Sequence, residues 1–298
     1  MPVADSPDFQ WTVVYNDSPS DTMPGPDSPD WQTTVQIVPS AQGDAPDWQQ
    51  IAVGPGGSSL KCPNFFDEYI ASLSPTYWWK LNETSGTTAA DSADANTGTY
   101  EGLYSLNHPG LVSGSLATEF TSPGTTPAWV ESTSLLAAPT KYSIAAIYNF
   151  TDLTPTNVPL LSFNANQSPV GAPLGASDRG LYVDSSNDLD FYFYNGGPLS
   201  LTSGAEIGQD WHMVVATLGP AGTFLYKDGT EVDSSANTGD VAYNGYWIPA
   251  GAVFSASWPG YTGGVSEDYY MRGLLQHVIV WETTQLTAAQ IAFAWTLT

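Results

Sequence analysis

An all-β sandwich is the fold that three features of this 298-residue chain predict. From Tyr77 onward, runs that alternate apolar with polar residues, or are apolar throughout, are broken by clusters of Gly, Pro, Asn and Asp. Asp228-Gly229, set between Leu225-Tyr-Lys227 and Glu231-Val232, is a two-residue hairpin signal. Helical periodicity is confined to two short stretches, so no α/β alternation is present. Many short strands with turn signals at fairly regular intervals form a sandwich, preceded by an extended N-terminal arm and closed by a short C-terminal helix.

The arm, residues 1–58, is rich in Pro, Asp, Ser and Gln and repeats one phrase three times: Asp5-Ser-Pro-Asp-Phe-Gln10, Asp27-Ser-Pro-Asp-Trp-Gln32 and Asp44-Ala-Pro-Asp-Trp-Gln49. In each copy the proline fixes its own φ and biases the preceding residue towards an extended conformation. Each copy leads into a strand-like run: Trp11 to Tyr15, Thr33 to Val38, and Gln50 to Val53. The copies are unequally spaced, and three such fragments cannot bury a core among themselves, which points to a docking device. Phe9, Trp31 and Trp48 are its candidate anchors, preceded by Asp8, Asp30 and Asp47, and the valine-containing runs are candidate strands for a partner's sheet edge. Gly54-Pro-Gly-Gly-Ser58 marks a joint. Residues 59–74 connect, and within them Phe65 to Leu73 carries one or two helical turns that Pro75 stops.

Residues 75–298 hold the strands, at Tyr77 to Leu81, Ala117 to Phe120, Trp129 to Val130, Tyr142 to Phe150, Pro159 to Phe163, Gly180 to Val183, Asp188 to Tyr194, Trp211 to Leu218, Gly222 to Lys227 and Gly273 to Glu282. Two of them, 211–218 and 273–282, are apolar at nearly every position and belong at the centre of their sheets. Trp211, Tyr226 and Trp281 are accordingly core residues. Thr287-Ala-Ala-Gln290 is a capping box opening the final helix through Ile291, Phe293 and Trp295.

Composition narrows the function. Six Lys+Arg against 30 Asp+Glu give a net charge of -24, which argues against phosphate contacts with nucleic acid and against a basic membrane patch. Charged residues total only 12%, so Ser, Thr, Asn, Gln and Gly must cover the surface; 11 Trp and 16 Tyr on such a surface suit carbohydrate contact. A single cysteine, Cys62, rules out an intrachain disulfide and a multi-cysteine metal site. The N-terminus shows neither a basic segment nor an apolar run, which predicts folding in a cytoplasm.

Three segments, in order, resemble the laminin-G-like, concanavalin A-like jelly-roll domains found in bacterial and phage surface proteins. They are Tyr77-Trp-Trp-Lys-Leu-Asn-Glu-Thr-Ser-Gly86 continuing to Tyr100-Glu-Gly102; Trp211-His-Met-Val-Val-Ala-Thr-Leu218 followed by Leu225-Tyr-Lys-Asp-Gly229; and Met271-Arg-Gly-Leu-Leu-Gln-His-Val-Ile-Val-Trp281 followed by Leu286-Thr-Ala-Ala-Gln-Ile291. The resemblance covers most of residues 75–298 and leaves the arm outside.

Some members of this fold hydrolyse glycans with a Glu-x-Asp-x-x-Glu strand, whose alternate carboxylates share one sheet face. Here Glu231-Val-Asp233-Ser-Ser-Ala236 lacks the last carboxylate, and Glu267-Asp268 are adjacent, pointing to opposite faces. His108, His212 and His277 sit in no nucleophile motif, so a non-enzymatic protein is expected. Asp91, Asp94 and Asn96 offer clustered oxygens where related domains bind Ca²⁺ at a rim; an Asx turn capping its own backbone is the alternative. Tyr243, Tyr246, Trp247, Trp258 and Tyr261, in a stretch dense with Gly and Asn, are candidate contacts to a glycan or to a neighbouring subunit. With the arm, the resemblance implies a bacteriophage virion protein assembled in the host cytoplasm. It would be a minor tail or tail-fibre component that contacts other virion proteins or forms a homotrimer and faces host-envelope glycan. A capsid decoration protein and a glycan depolymerase are the alternatives.

Overall fold

The computed structural model describes residues 13–15, 34–37, 51–52, 65–93, 96–121, 128–137, 139–152, 158–167, 177–184, 186–195, 198–206, 209–239, 244–251 and 271–298. The chain separates into two compact units, Met1–Cys62 and Pro63–Thr298. In the first, β1 (Val13–Tyr15), β2 (Thr34–Ile37) and β3 (Ile51–Ala52) form an antiparallel sheet in that order, with Val13 opposite Ile37 and Val35 opposite Ile51. The strand run after each repeated phrase therefore pairs with the other runs of the same chain, where the sequence reading gave them to a partner's sheet. Phe9, Trp31, Trp48, Asp8, Asp30, Asp47 and Cys62 lie outside the described residues.

The second unit opens with α1 (Phe65–Ser72), which ends before Ser74 at φ 51 and Pro75. There follow β4 (Tyr77–Trp79), β5 (Thr88–Ala89), β6 (Gly98–Glu101), β7 (Tyr104–Pro109), β8 (Leu116–Phe120), β9 (Trp129–Glu131) and β10 (Tyr142–Phe150). Then come β11 (Val158–Asn164), β12 (Ser177–Val183), β13 (Asp188–Tyr194), β14 (Pro198–Glu206), β15 (His212–Gly219), β16 (Gly222–Lys227) and β17 (Thr230–Ser235). β18 (Tyr246–Pro249), β19 (Gly273–Trp281) and α2 (Ala288–Thr296) complete it. Eight strands make the larger sheet, in order β17-β16-β15-β10-β19-β8-β7 with β4 also paired to β19; five make the smaller, β14-β13-β12-β11-β18. A third sheet, β5-β6-β9, stands beside them.

Strand alternation sorts the apolar residues into two layers. Ile144, Ala146 and Tyr148 of β10 and Val214, Ala216 and Leu218 of β15 meet Leu181, Phe191, Phe163 and Trp247 of the smaller sheet in the sandwich interior. Their neighbours Ala145, Ile147, Met213 and Val215 face outward and are covered by Phe66 and Ile70 of α1 and Ile291 and Ala294 of α2. The predicted capping box is present: the Gln290 N–H donates to Thr287 Oγ1 at 3.3 Å and the Thr287 N–H to Gln290 Oε1 at 2.9 Å. The predicted hairpin is present too, with Asp228 and Gly229 both at positive φ, 51 and 76, as the two-residue turn requires.

β19 departs from simple alternation. His277 has φ 51, and the pairing with β10 shifts between Ala145 and Ile147. This bulge inserts one residue and reverses the side-chain parity, so that Leu275 before it and Val278 and Val280 after it all face the interior while Ile279 and Trp281 lie under the helices.

Candidate functional site

On the smaller sheet the residues that alternate with the core face outward, and they are mostly polar or aromatic. Asn164 stands opposite Tyr246; Ser162 opposite Gly180 and Ile248; Gly180 opposite Tyr192; Tyr182 opposite Asp190; and Asp190 opposite Thr202. Asn164, Ser162, Tyr182, Tyr192, Ile248 and Asp190 are buried, yet none belongs to either apolar cluster. A sheet face that only needed cover would carry Val and Ile here; this one carries hydroxyls, an amide and a carboxyl.

The electrostatics of this face centre on Asp190. Burial pushes its carboxyl up to about 7, aided by the charges of Asp184 and Asp188, while hydrogen bonds from Thr202 and Tyr182 pull it down. Tyr182 is raised well above the usual phenol range by burial and by Asp190. Asp188 lies two residues before Asp190 on the same strand and hence on the same face. Sequence reasoning missed this pair because it looked for a Glu-x-Asp string and read Asp188 to Tyr194 only as a strand.

The aromatic residues expected to touch a glycan separate. Tyr246 is half-buried on the outer face, opposite Asn164. Trp247, one residue on, points the other way: it is 0% exposed, lies 4.9 Å from the Phe163 ring and 6.0 Å from Tyr142, and its Nε1–H donates to Glu282 Oε1 at 3.4 Å. Trp247 is core, and this corrects its reading as a surface contact; adjacent residues of a strand cannot both face outward. Tyr243, Trp258 and Tyr261 lie outside the described residues.

Of the proposed cation ligands, Asp94 is outside the described residues. Asp91 Oδ1 accepts the N–H groups of Trp78 at 2.8 Å and Ala93 at 2.9 Å, and its Oδ2 accepts the Asn96 N–H at 2.8 Å. Asn96 is buried; its Oδ1 accepts the N–H groups of Thr133 at 2.8 Å and Ser134 at 2.9 Å, and its carbonyl accepts the Trp79 Nε1–H at 2.8 Å. These two side chains clamp the β4 and β6 loop to the segment after β9. No group of three or more His, Cys, Asp or Glu among the described residues could hold a metal ion.

The remaining titratable residues take structural positions or lack the geometry of a triad. Asp233 Oδ2 accepts the Thr202 N–H at 3.0 Å, joining edge strand β17 to edge strand β14, while Glu231 is exposed. Glu267 and Asp268 are outside the described residues. His212 Nδ1 lies 2.8 Å from Asp228 Oδ2. His277 is fully buried, its Nδ1 accepting the Trp78 Nε1–H at 3.0 Å, and burial together with the Lys80 charge lowers its imidazole to about 3. His108 sits in no nucleophile motif of the sequence, and the bulge at Asn107, φ 70, turns Ser105 onto its ring. Ser105 Oγ and Glu119 Oε2 both approach the same nitrogen, Nε2, the carboxylate at 3.5 Å, so Glu119 does not orient the ring through Nδ1 as a triad acid does.

Known proteins place this architecture. No curated protein matches the chain in sequence. Among solved structures, a Trypanosoma rangeli sialidase matches with a TM-score of 0.49 and 14% identity over 75% of this chain and 32% of its own, so the chain spans about a third of that protein's length. Domain 4 of AbnA, a GH43 extracellular arabinanase from Geobacillus stearothermophilus determined in complex with arabinotriose, matches with a TM-score of 0.50 and 13% identity, over 74% of this chain and 97% of that domain. A structure described as a receptor binding domain matches with a TM-score of 0.50 and 12% identity, covering 78% of this chain and 53% of its own. At such identities the two matches at 0.50 concern the fold alone. The family model of the concanavalin A-like lectin/glucanases superfamily matches residues 123–292, more than half of the sequence, and the chain belongs to that superfamily.

Proposed function

We propose that the chain is a non-enzymatic structural protein of a bacteriophage virion, a minor tail or tail-fibre component that docks through residues 1–58 and turns its sandwich towards glycans of the host envelope. The observation that supports the docking half is that Met1–Cys62 and Pro63–Thr298 are separate compact units, so the three-copy segment is a module distinct from the sandwich. Glycan contact draws its support from the superfamily to which the sandwich belongs and from the half-buried Tyr246 on the outer face of the smaller sheet. Its partners are then other virion proteins, with a homotrimer as one arrangement. A capsid decoration protein of the same architecture is the neighbouring reading, separated by immunogold labelling of particles. Deleting residues 1–58 is expected to leave a folded sandwich that no longer enters virions; normal incorporation would overturn the proposal.

One observation favours a second reading, a glycan hydrolase. Asp190, whose carboxyl burial raises to about 7, and Asp188 on the same face supply a weakened acid beside a second carboxyl group. Release of reducing ends from envelope polysaccharide, abolished by Asp190→Asn, would establish it; no release from any polysaccharide leaves the structural role.

A further inference from the structure

At the edge of the larger sheet three side chains from two strands converge on one point. β7 is an edge strand, paired with β8. Ser105 stands opposite Glu119 and His108 opposite Ala117, so that Leu106 and Asn107 together face the single residue Thr118. In a regular strand residues three apart point to opposite faces; this bulge, with Asn107 at φ 70, puts Ser105 and His108 on the face that carries Glu119. Ala117 is small enough to let the imidazole lean across towards the carboxylate. Ser105 Oγ hydrogen-bonds to His108 Nε2, and Glu119 Oε2 lies 3.5 Å from that nitrogen and 3.4 Å from that hydroxyl. The His108 and Glu119 side chains are 33% and 26% exposed and Ser105 is exposed, so solvent reaches the point where they meet. A bulge alone suffices to protect an edge strand, and that need places no demand on the three side chains. When Nε2 carries its lone pair, the three atoms hold one hydrogen among them, the serine's, which cannot serve both nitrogen and carboxylate.

We propose that Ser105, His108 and Glu119 form a site for one divalent transition-metal cation of the Zn²⁺ class, held by Oγ, Nε2 and Oε2 with a fourth position left to water. Metal–ligand bonds of about 2.0–2.2 Å set the edges of a coordination tetrahedron at about 3.3–3.6 Å, and both distances from the carboxylate oxygen fall in that range. On binding, the Ser105 oxygen exchanges its hydrogen bond with Nε2 for a bond to the ion. An imidazole nitrogen beside one carboxylate favours Zn²⁺, Ni²⁺ or Cu²⁺ over Ca²⁺ and Mg²⁺, which take oxygen ligands. The ion neutralises a carboxylate in a chain of net charge -24, whose field gathers cations. It also ties β7 to β8 at the bulge, where the register of the ladder is broken. With one His, one carboxylate and a hydroxyl, the site falls short of three ionisable ligands, so the ion is held exchangeably. It involves neither Asp91 nor Asn96 and does not depend on the glycan-contact reading.

The test is isothermal titration of the full chain with ZnCl₂ in a buffer free of chelators, repeated with His108→Gln, Glu119→Gln and Ser105→Ala. The expected result is a saturable site that His108→Gln and Glu119→Gln each weaken at least about tenfold, and Ser105→Ala less, while millimolar Ca²⁺ leaves Zn²⁺ in place. In the unmutated chain the same titration is followed through the imidazole ¹⁵N resonances, where His108 Nε2 is expected to shift and those of His212 and His277 are not. That measurement decides the matter if a variant fails to fold. Absence of saturable Zn²⁺ binding to the unmutated chain overturns the proposal. So does binding that either His108→Gln or Glu119→Gln leaves unweakened, and so does displacement of Zn²⁺ by Ca²⁺.

Discussion

Two buried groups should tilt the stability of the sandwich with pH in opposite directions. His277 is neutral in the fold down to about 3, against 6.5 in the unfolded chain. As pH falls below 6.5 the unfolded chain takes up a proton that the folded chain refuses, so stability is lost on acidification through that window. Asp190 has the reverse sense: its carboxyl is raised to about 7 from 3.8, so as pH rises above 3.8 the unfolded chain releases a proton that the folded chain retains, and stability is lost until about pH 7. At about 1.4 kcal/mol per unit the two terms reach roughly 5 and 4 kcal/mol, and between about pH 4 and 6.5 they nearly cancel.

The perturbation that exposes them is to remove one at a time. Asp190→Asn keeps the hydrogen-bonding shape but cannot ionise; relative to wild type it is expected to gain about 4 kcal/mol between pH 4 and pH 7. His277→Gln is expected to lose about 3 kcal/mol relative to wild type over the same interval, because it removes the penalty that acid imposes. Urea unfolding followed by tryptophan fluorescence at several pH values reads both. The reasoning fails if the stability difference between Asp190→Asn and wild type is the same at pH 4 as at pH 7.

Asn96→Ala removes the acceptor for the Thr133 and Ser134 N–H groups and should destabilise the sandwich by about 2–3 kcal/mol in urea unfolding. Because the Asp91 and Asn96 oxygens already face N–H donors, millimolar Ca²⁺ is expected to shift the melting temperature by less than about 1 °C, and a rise of several degrees would reinstate a cation site there. Trp247→Ala should cost about 3–5 kcal/mol, whereas Tyr246→Ala should cost under about 1 kcal/mol, a contrast that equal losses in thermal unfolding would refute.

The sequence is informative where local chemistry and burial agree. β10, β15 and β19 are apolar on both sides because one side meets the smaller sheet and the other meets the helices, and such runs announce themselves. The hairpin at Asp228-Gly229 and the cap at Thr287 depend on residues adjacent in the chain, so spacing alone predicts them. β14 went unread because Pro198 opens it and Ser and Thr fill its outer positions; β18 went unread because Tyr246 and Trp247 look alike until a register sends one outward and the other into the core. The bulge at His277 is invisible in a run of Leu, Gln, His, Val and Ile, although it decides which of them meet the helices.

The site is harder still, because it is assembled by pairing. Asn164 meets Tyr246, and Tyr182 meets Asp190, only through antiparallel register between strands distant in sequence. A polar residue within an apolar run, as Asn164 ends β11 and Asp190 interrupts β13, is the one trace such a face leaves in the sequence. Its cost in the fold is the physical reason to read such a position closely, ahead of the loop aromatics that composition first suggests.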